Sequence, residues 1–170
     1  ASFDNATSPT SRNLREVTFG NDIFVGVGQS GNIVRSTDNG SSWDNATSPT
    51  GNNIRGIEFG NDIFVGVGVS GNIVRSTDNG STFDNVTSPT GNKLLGVTFG
   101  NDVFVAVGDS GNIVRSTDNG STFDNVTSPT GNGIKAVGFG NNTFVASGDS
   151  GNIIRSTDNG STWDNATSPT

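Results

Sequence analysis

Hydrophobic residues along this chain fall into short runs that are separated by clusters of Gly, Asn and Asp. Residues 51–90 contain four such runs: 54–59, 62–68, 72–77 and 81–87. Runs of this length, rich in Val, Ile and Phe, predict β-strands. Three turn signals separate them: Gly60-Asn61, Ser70-Gly71 and Asp78-Asn79-Gly80. The pattern therefore predicts four antiparallel strands in up-and-down order, which we letter A to D.

Both faces of the second strand are apolar or small. Ile63, Val65 and Val67 alternate with Phe64 and two glycines, so neither face is suited to water. A single four-stranded sheet cannot cover both its faces, whereas sheets stacked radially can. The fold class predicted is therefore all-β, a β-propeller with strand A at the centre and strand D at the rim. Solenoid stacking is the alternative architecture.

Two kinds of residue fit the inner part of such a propeller. Small residues recur in strand A at Gly56, Gly96 and Ala136, which suits a crowded centre. Phe59 and Phe64 are expected to pack between neighbouring blades.

The same pattern returns every 40 residues. Gly-Asn-Ile-Val-Arg-Ser-Thr-Asp-Asn-Gly begins at Gly31, Gly71 and Gly111, and begins again at Gly151 with Val replaced by Ile154. A period of this length indicates a repeat architecture. We expect one repeat domain over 1–170, with a lone outer strand in 1–10 (Ser2 to Thr7) and blades at 11–50, 51–90, 91–130 and 131–170. Because residues 1–10 echo 161–170, one copy of strand D is redundant, and self-assembly between chains would use it.

Composition narrows the partners and the chemistry. The net charge is −7 with nine Lys and Arg, so nucleic acid and anionic membranes are not expected partners. No long apolar run or signal-peptide pattern occurs, so the chain is expected to be soluble, in an extracellular or a cytoplasmic setting. Cys, His and Tyr are all absent, which removes several common catalytic groups. We predict no catalytic residues, no cofactor and no metal.

One motif recurs in every repeat. Residues 36–43 read Ser-Thr-Asp-Asn-Gly-Ser-Ser-Trp and residues 156–163 end in Thr-Trp, while the middle copies carry Phe83 and Phe123 in place of Trp. The motif resembles the Asp-box, or BNR repeat, of sialidase-type β-propellers, whose pattern is Ser-x-Asp-x-Gly-x-Thr-Trp. The resemblance implies that it forms the C–D hairpin of each blade.

The residues of this motif suit a structural role. An Asp side chain can accept backbone N–H groups across the turn, the Gly can adopt positive φ, and the aromatic ring can pack back on the hairpin. Calcium is not expected, because Gly40 stands where a second ligand would be needed. The structural set is Asp38, Gly40, Trp43, Asp78, Gly80, Phe83, Asp118, Gly120, Phe123, Asp158, Gly160 and Trp163.

The family resemblance also implies the catalytic groups of a sialidase, and the chain does not carry them. A sialidase needs a Tyr nucleophile paired with Glu and a triad of Arg. This chain has no Tyr, and its two Glu residues are Glu16 and Glu58. The arginines of strand C are interpreted instead as partners of carbonyls or carboxylates between blades or at the rim: Arg35, Arg75, Arg115 and Arg155.

Positions that differ between repeats are clustered, and we take them as candidate ligand-binding residues. After strand B the series is Gln29, Val69, Asp109 and Asp149, and within strand A it includes Arg15, Arg55 and Lys135. The B–C and D–A connections lie on one face of a propeller, so this variable face is the expected place for a ligand. Free drift of exposed positions is the plainer interpretation. Asp109 and Asp149 on adjacent blades also suggest a paired-carboxylate glycosidase.

The primary hypothesis is a non-enzymatic scaffold in which two four-blade chains close an eight-bladed ring, so that the main partner is a second copy of the chain. The near identity of the repeats indicates recent amplification or deliberate construction from one blade. A lectin-like module that binds glycans is the first alternative. A segment of an extracellular tandem-repeat surface protein is the second.

Overall fold

A computed structural model describes residues 5–167 of the chain. They form sixteen strands in four antiparallel sheets, and each sheet follows chain order. Blade 1 contains β1 Leu14–Gly20, β2 Ile23–Gly28, β3 Ile33–Ser36 and β4 Asp44–Asn45. Blade 2 contains β5 Ile54–Gly60, β6 Ile63–Gly68, β7 Ile73–Ser76 and β8 Asp84–Val86. Blade 3 contains β9 Leu94–Gly100, β10 Val103–Gly108, β11 Ile113–Ser116 and β12 Asp124–Val126. Blade 4 contains β13 Ile134–Gly140, β14 Thr143–Gly148, β15 Ile153–Ser156 and β16 Asp164–Asn165.

The strand order confirms the all-β propeller. Each strand A contacts strand A of the next blade: β1 meets β5, β5 meets β9 and β9 meets β13. Small residues allow this approach, because a Cβ added at Gly56 would lie 3.3 Å from the Cα of Gly96. The A strands therefore lie at the centre and the D strands at the rim, as the small residues of strand A predicted.

Two turns differ from the sequence prediction. Asn61 and Asp62, with φ of 48° and 62°, form the A–B turn in place of Gly60-Asn61, and strand B begins one residue later than expected. Two consecutive left-handed residues suit the right-handed twist of a hairpin. The B–C connection is a short 3₁₀ turn, Val69–Gly71, with φ of 59° at Ser70. It replaces the hairpin predicted at Ser70-Gly71.

The outer strands are shorter than predicted. Strand D of blade 2 covers Asp84–Val86, whereas the pattern predicted 81–87, because Ser81 and Thr82 belong to the hairpin that precedes it. The predicted lone strand Ser2 to Thr7 lies partly outside the described residues. In the described part an isolated parallel bridge joins Thr7 to Ser42, as another joins Thr47 to Thr82.

The hydrophobic core lies between blades rather than within them. The described residues form three clusters, one at each junction of adjacent blades. At the junction of blades 1 and 2, Val25 and Ile33 pack with Ile54, Phe64 and Phe83. Phe64 is fully buried there, as predicted. Each blade is thus stabilised mainly by its neighbours, as in other repeat proteins.

Candidate functional site

The variable face forms where the B–C turns meet the starts of the A strands. Gln29, Val69, Asp109 and Asp149 each begin a 3₁₀ turn. Their backbone N–H groups donate to the carbonyls of residues 13, 53, 93 and 133, at 2.8 to 3.0 Å. The structure therefore places the four variable B–C turns beside the beginning of strand A in every blade.

A β-bulge in strand A was missed by the sequence analysis, and it contains the other variable residues. In blade 1 the register shifts between Leu14 and Glu16, which leaves Arg15 as the extra residue. Arg55, Leu95 and Lys135 occupy the same bulge in the other blades. A bulge re-aims a side chain without breaking the sheet.

Four charged side chains meet on the variable face of blades 3 and 4. Lys93 Nζ lies 3.1 Å from Asp109 Oδ2, and Lys135 Nζ lies 3.8 Å from Asp109 Oδ1. Lys135 Nζ also lies 2.9 Å from Asp149 Oδ2. This charge ladder alternates in sign, and Lys135 joins the two blades. The hydrogen bond and charge of Asp149 raise the pKa of Lys135.

The charge ladder contains Asp109 and Asp149, the two carboxylates that suggested a glycosidase. A paired-carboxylate mechanism needs two carboxyl groups that flank the bond to be cleaved. Here Lys135 Nζ is in contact with both Asp109 and Asp149. The arrangement is an electrostatic link between blades 3 and 4. Gln29, Val69, Arg15 and Arg55 take no part in the ion pairs of the described residues.

The recurrent hairpin has the geometry expected of its residues. Asp38 Oδ1 accepts the backbone N–H of Ser42 at 2.9 Å, and Asp38 Oδ2 accepts its hydroxyl at 2.6 Å. These bonds, with one from Ser36, lower the pKa of Asp38 to about 2. Gly40 has φ of +83°, and Trp43 Nε1 donates to its carbonyl at 3.1 Å. The hairpin is closed by its own hydrogen bonds in all four blades.

The arginines of strand C link adjacent blades, as interpreted from the sequence. Arg35 Nε donates to the Asn79 carbonyl at 2.7 Å, and Arg75 and Arg115 form the same bond to Asn119 and Asn159. Each bond runs from one blade to the C–D hairpin of the next. Arg155 forms no such bond within residues 5–167.

At each junction, a side chain of one blade packs against a glycine of the adjacent blade. We call the side chain the knob and the glycine the socket. A Cβ added at Gly20 would lie 2.0 Å from Phe59 Cγ, because the ring of Phe59 rests on that glycine. Phe99 rests on Gly60 and Phe139 on Gly100 in the same way. In the opposite direction valines rest on the hairpin glycines: Val25 on Gly80, Val65 on Gly120 and Val105 on Gly160.

Within residues 5–167, both ends of the blade array lack these contacts. We call the outer face of blade 1 the first edge and that of blade 4 the last edge. On the first edge Leu14, Val17 and Phe19 are 42%, 56% and 50% exposed, and the Cβ site at Gly40 is open. On the last edge Val145 is 45% exposed, and no described residue lies within 4 Å of the Cβ site of Gly140. The counterparts of Val145 at the three junctions are fully buried.

The two edges are complementary in shape. The first edge offers Phe19 as a knob and Gly40 as a socket, while the last edge offers Gly140 as a socket and Val145 as a knob. An apolar cavity of about 370 Å³ lies on the first edge, lined in part by Leu14, Val17 and Trp43. Trp43 is half-buried, whereas its counterparts at 83, 123 and 163 are buried.

Solved structures show where this fold occurs. YCF48 from Cyanidioschyzon merolae is 19% identical with a TM-score of 0.77, and the match covers 100% of this chain and 61% of that chain. Virginiamycin B lyase from Staphylococcus aureus is 22% identical with a TM-score of 0.83, over 97% and 59% of the two chains. The computationally designed Ika4 protein is 13% identical with a TM-score of 0.72, over 92% and 98%.

These similarities extend to the fold and no further. The chain spans about three fifths of the length of YCF48 and of the lyase. No family model matches the chain, and no curated protein matches it either. In the described residues no helix is long and apolar enough to cross a membrane. The chain has the fold of a β-propeller.

Proposed function

We propose that this chain is a non-enzymatic scaffold that associates with a second copy to form a closed ring of eight blades. The complementarity of the two edges carries the proposal. Three junctions within the chain repeat one set of contacts, and the two edges present the two unpaired halves of that same set. We further propose that the repeats are of the Asp-box type, on the hairpin geometry around Asp38 and its counterparts.

The contact between copies would run from head to tail. Phe19 of one copy would rest on Gly140 of the other, and Val145 of the other would rest on Gly40. Arg155 would donate to the Asn39 carbonyl of the second copy, by analogy with the bond from Arg35 to Asn79. A head-to-tail contact closes only when the rotation completes a circle. Two copies form the smallest ring of more than one chain in which every edge is covered.

The apolar character of the edges provides the driving force. Leu14, Val17, Phe19 and Val145 are exposed, whereas the corresponding residues at the three junctions are buried or partly buried. Burial of large apolar side chains contributes roughly 1.5–3 kcal/mol each when it is complete. An array that leaves both edges in water forgoes this contribution at each edge.

Adding one methyl group at Gly140, on the last edge, tests the proposed contact between the two copies. We expect Gly140→Ala to abolish the dimer, because the equivalent Cβ at Gly20, Gly60 and Gly100 would lie 2.0 to 2.2 Å from a phenylalanine ring. The variant chain should fold normally, since nothing lies within 4 Å of that Cβ in one copy. Light scattering on a sizing column would then give the mass of one chain.

Gly138→Thr is the matched control on the same strand. Its counterparts are Thr18, Glu58 and Thr98, so every junction accommodates a side chain there. This variant should retain the mass of the unaltered chain. If Gly140→Ala assembled as the unaltered chain does, the two edges would not meet in the proposed way.

A further inference from the structure

We infer that the charge ladder of blades 3 and 4 continues into the second copy, where Arg15 pairs with Asp149. This inference rests on the proposed assembly, because it names residues that the two copies would bring together. It adds an electrostatic contact, formed by a residue from each copy, to the apolar knobs and sockets.

The junction of blades 3 and 4 supplies the precedent. There, the bulge residue of the later blade, Lys135, reaches back to the first turn residue of the earlier blade, Asp109. Lys135 also contacts Asp149, the turn residue of its own blade. The bulge position is thus placed to contact two turns at once.

Arg15 and Asp149 occupy the same two positions at the open edges. Arg15 is the bulge residue of blade 1, and Asp149 begins the last B–C turn. In a ring, blade 1 of one copy follows blade 4 of the other, so Arg15 would face Asp149 as Lys135 faces Asp109. Asp149 has room for this partner: its side chain is 54% exposed against 38% for Asp109, and its Oδ1 forms no ion pair among the described residues.

The junctions of blades 1 and 2 and of blades 2 and 3 have no oppositely charged residues at these two positions. The equivalent positions are occupied by Arg55 and Gln29 at the junction of blades 1 and 2, and by Leu95 and Val69 at the next junction. Neither turn residue is charged. Opposite charges at the edges would favour the head-to-tail register and speed encounter more than they would increase affinity. A guanidinium also suits a carboxylate, because it can donate two parallel hydrogen bonds.

Reversal of each charge tests the pairing. In a homodimer of Arg15→Asp, residue 15 faces Asp149 at both junctions, and in Asp149→Arg two arginines face each other at both. We expect each variant alone to dimerise with a dissociation constant raised at least about tenfold at low salt, because two junctions become repulsive. An equal mixture should dimerise more tightly than either variant alone, since both of its junctions then pair opposite charges, although residue 149 of the Asp149→Arg chain still meets Lys135 of its own blade.

The double variant Arg15→Asp/Asp149→Arg provides a second, independent rescue. Its two copies face each other with the charges exchanged, so it should dimerise more tightly than either single variant. Arg12→Asp is the control: it changes the net charge as Arg15→Asp does, at an exposed position outside the ladder. It should leave the dissociation constant within about twofold.

The outcomes separate this inference from the assembly itself. If the unaltered chain dimerises and Arg15→Asp dimerises equally well, the ladder does not continue into the second copy, although the assembly stands. If both single variants are weakened but neither the mixture nor the double variant recovers, the pairing is also wrong. If the unaltered chain stays monomeric, the assembly itself fails.

Discussion

At the scale of single residues, the recurrent hairpin depends on a carboxylate that must be ionised. Asp158 accepts the backbone N–H and hydroxyl of Thr162 and the hydroxyl of Ser156, and these bonds lower its pKa to about 2. The role of the Asp could be predicted from the turn motif. The bond from the Gly160 N–H to the Ser156 hydroxyl could not, because the motif contains this Ser but does not show which backbone group its hydroxyl contacts.

This titration predicts a loss of stability in acid. The pKa of Asp158 is about 2 in the fold, below its ordinary value of 3.8, so its contribution is complete above about pH 4 and is lost as the pH falls towards 2. We expect Asp158→Asn to reduce proton uptake on unfolding by up to about one proton between pH 4 and pH 2. Urea unfolding at several pH values measures this, best in the Gly140→Ala background where association does not contribute.

Asp164→Asn removes the same charge from strand D, outside the hairpin, and serves as the control. Its pH dependence should follow the background chain more closely than that of Asp158→Asn does. Equal slopes for the two variants would contradict the account of the hairpin carboxylate.

At the scale of elements, the junction between blades is the unit that holds the molecule together. The sequence predicted that Phe59 would lie between blades, but it did not predict Gly20 as the residue that receives the ring. The receiving residue depends on how two blades are oriented, which no pattern within one repeat encodes. The bulge at Arg15 and its counterparts was missed for a similar reason, since register depends on the partner strand. Gly28, which pairs with Leu14 and has no room for a Cβ beside the Asn13 carbonyl, recurs in every repeat and is the signal that could have indicated it.

The knob-and-socket contact predicts which glycines are indispensable. In the Gly140→Ala background, Gly100→Ala should reduce the free energy of unfolding by about 1–3 kcal/mol, because its Cβ would lie 2.2 Å from Phe139 Cγ. Gly131→Ala should change it little, since nothing lies within 4 Å of that Cβ. Denaturant unfolding of the three chains makes the comparison. Equal stability of the Gly100→Ala and Gly131→Ala chains would show that the ring of Phe139 does not rest on Gly100.

At the scale of the whole molecule, the repeat produces an array of four blades with two open edges. The 40-residue period predicted the number of blades and the all-β architecture, because each repeat contains four strand signals. It did not predict the charge ladder, which appears only where Lys135 reaches both Asp109 and Asp149. The proposed association rests on the exposed apolar residues of the two edges.

The mass of the chain in solution tests this assembly most directly. Light scattering on a sizing column, across a dilution series, should give twice the chain mass of 17.4 kDa at the higher concentrations. A mass of 17.4 kDa at every concentration would contradict the assembly, because both edges would then remain in water. Three times that mass would contradict the eight-bladed ring.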